Sequence, residues 1–385
     1  MVSKIKIFIN SLNKTLVLMV ALSIIGIFYA YFLLYFERKI INISSTYHPD
    51  SIYYMREYST KAFLSINFSL YENITNLFKN ILTNSFYSSI MNLINEIALI
   101  INDTKFNFLN DTLYRNLIKF NILFYLIGNI FIIKFYSNVF KEKVFDKKNL
   151  LLLTIILFLP YKTHLTINIL KDSLILFLLI FAFTSRNIYS FILSIFLGTS
   201  FRWGYILYFI LLINKKILNK KNLILISITL LILSTWFIFT QMNIDYSEET
   251  SDNLWTSIKN YLTTRNNAVM GGRDFDQVYN FSEYKMGSIL RGITWPFFFI
   301  TGTFGVFTKS YLFYCLAIEI IVVQFLMYWF YKKFVFNINL IIFLIIIAMQ
   351  TNTFTSYFRY SYLAFYFSLL ITFLDSSNYK KNLTN

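Results

Sequence analysis

The feature that most constrains this chain is a set of apolar runs long enough to cross a lipid bilayer. A helix needs about 20 residues to span the hydrocarbon core. The runs at 15–36, 116–136, 222–241 and 311–331 are clear full-length passes. Shorter apolar segments follow at about 149–160, 173–185, 188–201 and 203–214, interrupted by Lys162, His164, Lys171 with Asp172, Arg186 and Arg202. The last two passes, 335–351 and 361–375, flank Arg359. Only 14% of the 385 residues are charged, against about 25% in a soluble domain. With three prolines and ten glycines there is little room for linkers. The expectation is an all-α polytopic membrane protein, a single domain over 1–385 with about ten transmembrane helices, some in short or re-entrant hairpins. The basic start MVSKIKIFINSLNK resembles a signal peptide, but its apolar stretch has no small-x-small cleavage site, so a retained first helix is expected.

Orientation follows from the lysines. With the N-terminus inside, Lys4, Lys6, Lys14, Lys141, Lys143, Lys147, Lys148, Lys215, Lys216, Lys220, Lys221, Lys332, Lys333, Lys380 and Lys381 all fall on the cytoplasmic side. Two half-length helices turning at Arg202 keep Arg186 and the Lys215–Lys221 cluster on that side together, whereas one pass over 188–214 would separate them. Both termini are then cytoplasmic. Two segments, 37–115 and 242–292, form exoplasmic loops. Within the first, SSIMNLINEIALIIND is amphipathic enough to lie on the membrane surface. The cytoplasmic connections are short, so the chemistry is expected outside.

Arginine is partitioned the other way. Of nine arginines only Arg186 falls inside; Arg38, Arg56, Arg115, Arg202, Arg265, Arg273, Arg291 and Arg359 lie outside. The guanidinium engages phosphate through two bonds at once and tolerates partial burial better than an ammonium. Arg202 and Arg359 occupy tight turns between apolar helices, a placement shared by Lys162 and Lys171. Such cations either bind an anionic ligand or snorkel to headgroups and pair with loop carboxylates.

Carboxylates supply the other half of a site. Asp50, in HPDSIYYMREY beside His48 and Glu57, serves equally well as a helix N-cap or as a general base on a hydroxyl. Asp172 suits helix capping, and Asp274 and Asp276 in GGRDFD suit a solvated turn more than catalysis. Glu319 is the carboxylate set well inside an apolar run, where acids face a cavity or a partner. His48 and His164 are too few for a metal site, and Cys315 lies alone in an apolar run, so neither a metal nor a disulfide framework is expected.

A first pass followed by the outer-loop Asp50, a Pro-containing turn ending in Lys171-Asp172, a short hairpin turning at Arg202-Trp203-Gly204-Tyr205 and Arg359 in a late outer turn together resemble bacterial O-antigen or capsule repeat-unit polymerases of the Wzy type. Arg291 to Gly302, with ten residues between, is similar to an arginine–glycine spacing in that family's outer loops. The early position of the long loop and the lack of a clear second arginine–glycine loop depart from the pattern. The early outer-loop Asp also looks like that of polyprenyl-phosphate sugar transferases of GT-C architecture. The polymerase resemblance implies cofactor-free glycosyl transfer at the periplasmic face of the inner membrane. The partners would be undecaprenyl-pyrophosphate-linked glycans, membrane lipids and a chain-length regulator, with no nucleic acid. Asp50 and His48 would be catalytic, and Arg202, Arg291, Arg359, Lys171, Arg273 and Lys162 would bind pyrophosphate and glycan. A lipid-linked glycan flippase is a third reading, but polar residues spread through the passes to the cytoplasmic half are sparse.

Overall fold

A computed structural model describes residues 2–42, 64–82, 86–102, 111–168, 170–185, 188–202, 205, 207–208, 211, 288–305, 311–351 and 354–376. Among these residues the chain is helical and holds no strand. The segment 222–241 and most of 203–214 and 242–292 lie outside the described residues, so the count of ten passes stays an expectation.

Four stretches are long and apolar enough to cross a membrane: Lys14–Ile40, Ile118–Phe140, Lys147–Ile167 and Tyr311–Tyr331. Shorter apolar helices cover Asp172–Thr184, Tyr189–Thr199 and Ile338–Met349. By contacts the chain divides into two compact units. The first holds Met1–Arg202 with Trp329–Tyr331 and Phe373–Asn385; the second holds Trp203–Tyr328 with Lys332–Thr372.

In the first unit, α1 (Val2–Tyr35) continues into a π-helical turn, Phe36–Ile40. It stops at Asn42, whose φ of 60° is a left-handed conformation that asparagine tolerates. Two helices of the early loop follow, α2 (Leu70–Leu82) and α3 (Phe86–Asn102). Next comes α4 (Asp111–Phe140). Gly26 lies against Leu126 and Tyr125, and Ala30 and Leu33 pack with Ile118 and Ile122, so α1 and α4 run antiparallel.

The pass Lys147–Ile167 is broken into α5 (Lys147–Leu157) and α6 (Pro160–Ile167). Pro160 has no N–H to give the preceding turn and drives Leu159 into the extended region, φ −62° and ψ 125°. Beyond it, α7 (Asp172–Ser185) runs parallel to α4 through Phe124–Phe177, Phe131–Phe181 and Phe135–Phe183 ring contacts. Helix α8 (Ile188–Phe201) returns alongside α7, pinned by Ser194 Oγ donating to Leu178 O at 2.8 Å.

The second unit contains α9 (Ser288–Thr301), α10 (Tyr311–Tyr331, whose last three residues join the first unit), α11 (Ile338–Gln350) and α12 (Phe354–Ser376, whose end does the same). The expected passes leave a gap between the loop 242–292 and the run 311–331, and α9 fills part of it. Gly302 ends α9 at φ +69°, and a Cβ there would meet Ile321 Cδ1 at 3.0 Å. The Arg291–Gly302 spacing is thus the length of one helix, with glycine at the stop that only glycine adopts without strain. Gly292 lies against Met349 near the end of α11, while Phe299 reaches Phe336 just before its start. Helices α9 and α11 are therefore antiparallel neighbours.

Candidate functional site

One end of the first unit gathers most of its buried polar chemistry. The end of α1, the start of α4, the end of α6, the start of α7 and the end of α8 meet there. Glu37, on the π turn, presents both carboxylate oxygens to His164 Nδ1 at 2.9 Å, with both residues buried. Since a carboxylate only accepts, Nδ1 donates, and the imidazole is oriented as a carboxylate-held histidine is in a proton-transfer pair. Arg38 Nη2 donates to Asn168 Oδ1 at 2.9 Å. Asn121 Nδ2 donates to Asn168 O at 2.8 Å, closing the bend between α6 and α7.

Next to this lies the Arg202–Asp172 pair. Arg202 Nη1 donates to Asp172 Oδ1 at 3.0 Å, and both side chains are buried. Asp172 opens α7 and Arg202 follows the end of α8, so the pair closes the mouth of an antiparallel hairpin. Tyr87 of α3 is buried beside it, with Phe201 edge-on at 6.4 Å. Burial pushes the Tyr87 phenol up, Asn121 opposes this and the Asp172 charge adds to it, so Tyr87 stays a neutral hydroxyl.

A second polar knot sits deeper, where α5 breaks. Leu157 O accepts from Tyr125 Oη at 2.8 Å and from Lys162 Nζ at 3.3 Å, so side chains supply the donors that the helix break removed. Lys162 also donates to Asn129 Oδ1 at 2.6 Å and lies 4.9 Å from the Tyr125 ring centre. Asn129, Lys162, Thr166 and Ser173 line a narrow crevice with Gly128 and Phe177. It is of the size of a water molecule, not of a sugar.

The expected site residues fall into three groups. Arg202 is at a helix end, as its position between two apolar segments implies. Lys171 is half-buried in the turn that precedes α7. Lys162 is not in a turn: the pass extends to Ile167, and Lys162 and His164 are buried within its second half. Arg359 likewise lies inside α12, which begins at Phe354, and is buried. It is one helical turn from Tyr362, whose hydroxyl donates to Glu319 Oε2 at 3.1 Å, so Glu319 faces a protein partner. Arg291 is half-buried in the first turn of α9, its guanidinium 5.7 Å from the centre of the Trp295 ring. Asp50, His48 and Arg273 lie outside the described residues. So do Asp274 and Asp276.

Residue patterns alone do not single out Glu37, Asn121, Asn129 or Asn168. A signal was present for two of them: Asn121, Tyr125 and Asn129 recur every four residues through an apolar run and so mark one polar stripe on α4. Among the described residues, no group of three or more His, Cys, Asp or Glu side chains could hold a metal. No family model, curated protein or solved structure matches the chain.

Proposed function

We propose that this chain is a membrane-embedded glycosyltransferase that polymerises undecaprenyl-pyrophosphate-linked repeat units at the periplasmic face of a bacterial inner membrane. The observation that carries this reading is the buried Arg202–Asp172 pair at a helix-hairpin mouth, beside the buried Glu37–His164 pair. Charges are kept inside an apolar bundle mainly where they serve a site. A guanidinium held in place by a fixed carboxylate is pre-organised to meet developing negative charge without reorganising.

In the proposed step a sugar hydroxyl of one lipid-linked unit attacks the anomeric carbon of another. The C–O bond to diphosphate breaks with its electron pair leaving on oxygen, and the hydroxyl proton passes to Asp50, with His48 beside it. Arg202, Arg291 and Arg359, with Lys162, Lys171 and Arg273, are the cations assigned to the diphosphate and glycan. Arg202 belongs to the first unit and Arg291 and Arg359 to the second, so their convergence on one diphosphate is part of the proposal.

The test is O-chain length in a deletion strain complemented with single Arg→Lys variants at matched expression. Core with a single repeat unit in the deletion strain supports a polymerase. Loss of one charge-assisted pair costs roughly 1.5–3 kcal/mol, so transfer by the Lys variants should fall about ten- to hundred-fold. Wild-type chain length in all three would remove the arginine clamp.

A single-sugar transferase of GT-C architecture is the second reading. It is favoured by the position of α2 and α3, a folded helical pair directly after the first pass, with α3 packed on α4 and α8. A missing side-branch sugar in the deletion strain selects it, and complete loss of O-chain selects export.

A further inference from the structure

Helix α2 is built inside out relative to a helix of a soluble protein. Its protein-facing side carries asparagines. Asn73 accepts from Ser65 N at 3.0 Å and donates to Ser65 O at 2.8 Å, and Asn80 is buried. Its outward side carries Leu70 and Tyr71, each 78% exposed, with Ile74 and the preceding Ile66 also exposed. On α2, Leu70 and Ile74 lie one turn apart and so share one stripe, and the exposed Ile66 precedes it in the lead-in.

A helix in water turns this stripe inward. Here the inward side is occupied by amides, Asn73 bonded to Ser65 and Asn80 buried, so the apolar stripe is the contact surface for something else. The segment is held rigidly in that pose. Ile66 N donates to Glu96 Oε2 at 2.9 Å and Asn92 Nδ2 donates to Leu64 O at 2.9 Å, tying the lead-in of α2 to α3.

The level of α2 identifies the occupant. Its partner α3 is anchored by Tyr87 at Asn121, one residue from Ile122, which packs with Leu33 near the end of α1. The exposed apolar belt of α1 runs through Phe28, Tyr31, Phe32 and Tyr35 up to Ile40, past that same level. Helices α2 and α3 both pack on α8, with Phe86 of α3 stacked on Phe201 at its end, so the stripe on α2 belongs to the end of the unit at which α1 also exposes apolar side chains.

We propose that α2 is an interfacial anchor whose Ile66–Leu70–Tyr71–Ile74 stripe inserts at the headgroup–acyl boundary of the bilayer, at the end of the first unit that holds Asp172 and Arg202. This does not depend on the transferase reading. A helix lying in that plane buries its apolar side a few ångströms into the boundary while its charged side stays in water. Glu72 and Thr75, both exposed, supply the wet side here.

The test uses the full chain in phospholipid nanodiscs, with Cys315→Ser as background and single cysteines placed by Leu70→Cys, Ile74→Cys, Glu72→Cys and Thr75→Cys. Spin labels at 70 and 74 should be relaxed several-fold more by oxygen than by a water-soluble nickel chelate, with the order reversed at 72 and 75. All four native side chains are exposed, so the labels leave the core intact. Nickel-dominated relaxation at 70 and 74 overturns the proposal, because the stripe is then in water. Low access to both reagents overturns it too, because a second copy or another protein then covers the stripe. Amide exchange of residues 70–77 in the unlabelled protein gives an independent reading. Slower exchange in nanodiscs than in a short-chain detergent is expected, and equal rates in the two count against the anchor.

Discussion

The two units fill their interiors by different means. The first is held by directional bonds from side chains to backbone at places where helices end or break: Asn121 on Asn168 O, Tyr125 and Lys162 on Leu157 O, Arg202 on Asp172. The second is dominated by aromatic contact. Phe358 lies 4.2 Å from the Phe304 ring centre and 5.6 Å from those of Phe299 and Phe313. Hydrogen bonds in an apolar interior are valuable because the alternative is an unsatisfied group. Ring contacts are only as specific as the volume they fill. The first unit should therefore be intolerant of small chemical changes at constant shape, and the second should accept shape-preserving swaps.

The largest test of that contrast is Asp172→Ala, which leaves the Arg202 guanidinium buried without its carboxylate. Breaking a buried pair from one side costs about 3–5 kcal/mol, read as a fall in thermal unfolding temperature in detergent. Replacing both partners by apolar residues, Asp172→Leu with Arg202→Met, should recover most of that stability. If the single and double variants lose equally, the two residues are not coupled.

Next is Tyr125→Phe, which removes one hydroxyl and leaves Leu157 O with Lys162 alone. The expected loss is about 1–3 kcal/mol, against no loss if water replaces the donor. In the second unit Phe358→Leu keeps most of the buried volume and should cost less than about 1.5 kcal/mol. A larger drop for Phe358→Leu than for Tyr125→Phe would reverse the contrast.

The smallest effect concerns a polar contact in the open. Ser69 N donates to Glu72 Oε2 at 2.8 Å and Glu72 N donates to Ser69 Oγ at 3.2 Å, a reciprocal cap on α2. These bonds hold the Glu72 carboxyl below its ordinary range. A depressed carboxyl stabilises the fold above its unfolded value and loses that contribution as pH falls through its folded value. Protection of the amides at the start of α2, taken relative to intrinsic exchange at each pH, should fall below about pH 4.3. It should be low and flat with pH in Glu72→Ala. Unchanged acid sensitivity in that variant would place the titrating group elsewhere.

Among the described residues, the long passes at 15–36, 116–136 and 311–331 were legible because run length alone sets them. The expected 311–331 is the observed Tyr311–Tyr331, and 116–136 falls inside Asp111–Phe140. Boundaries failed wherever a charge sits inside a helix. Arg359 was expected in a turn, yet α12 begins five residues earlier, at Phe354. Lys162 and His164 were expected to end a pass that in fact carries both to Ile167. Hydropathy scores a charge as a reason to leave the membrane, and it cannot see the amide, carbonyl or carboxylate that receives it.

Both members of the Arg202–Asp172 pair stood out in the sequence, in separate roles. Their pairing across thirty positions was not readable, because it depends on how two helices fold back. The early loop was expected to offer its amphipathic helix to the membrane surface at 88–103. The first turns of α3 pack on protein, with Tyr87, Ser88, Ser89 and Met91 buried, while Ile97 is exposed, and α2 carries an outward apolar stripe as well. Amphipathic pattern marks a face; it does not say what that face meets.

The broken pass also bears on how the chain gets into the bilayer. Lys147–Ile167 has a mean hydropathy of 1.7, enough to partition, yet it must carry the Lys162 ammonium with it. For an isolated helix, lysine near the centre opposes insertion by about 2.5–3.5 kcal/mol. Asn129 lies on α4, which leaves the ribosome first. The amide that receives the ammonium is thus already in lipid when the segment needing it arrives, and the order of synthesis becomes part of what makes this pass insertable.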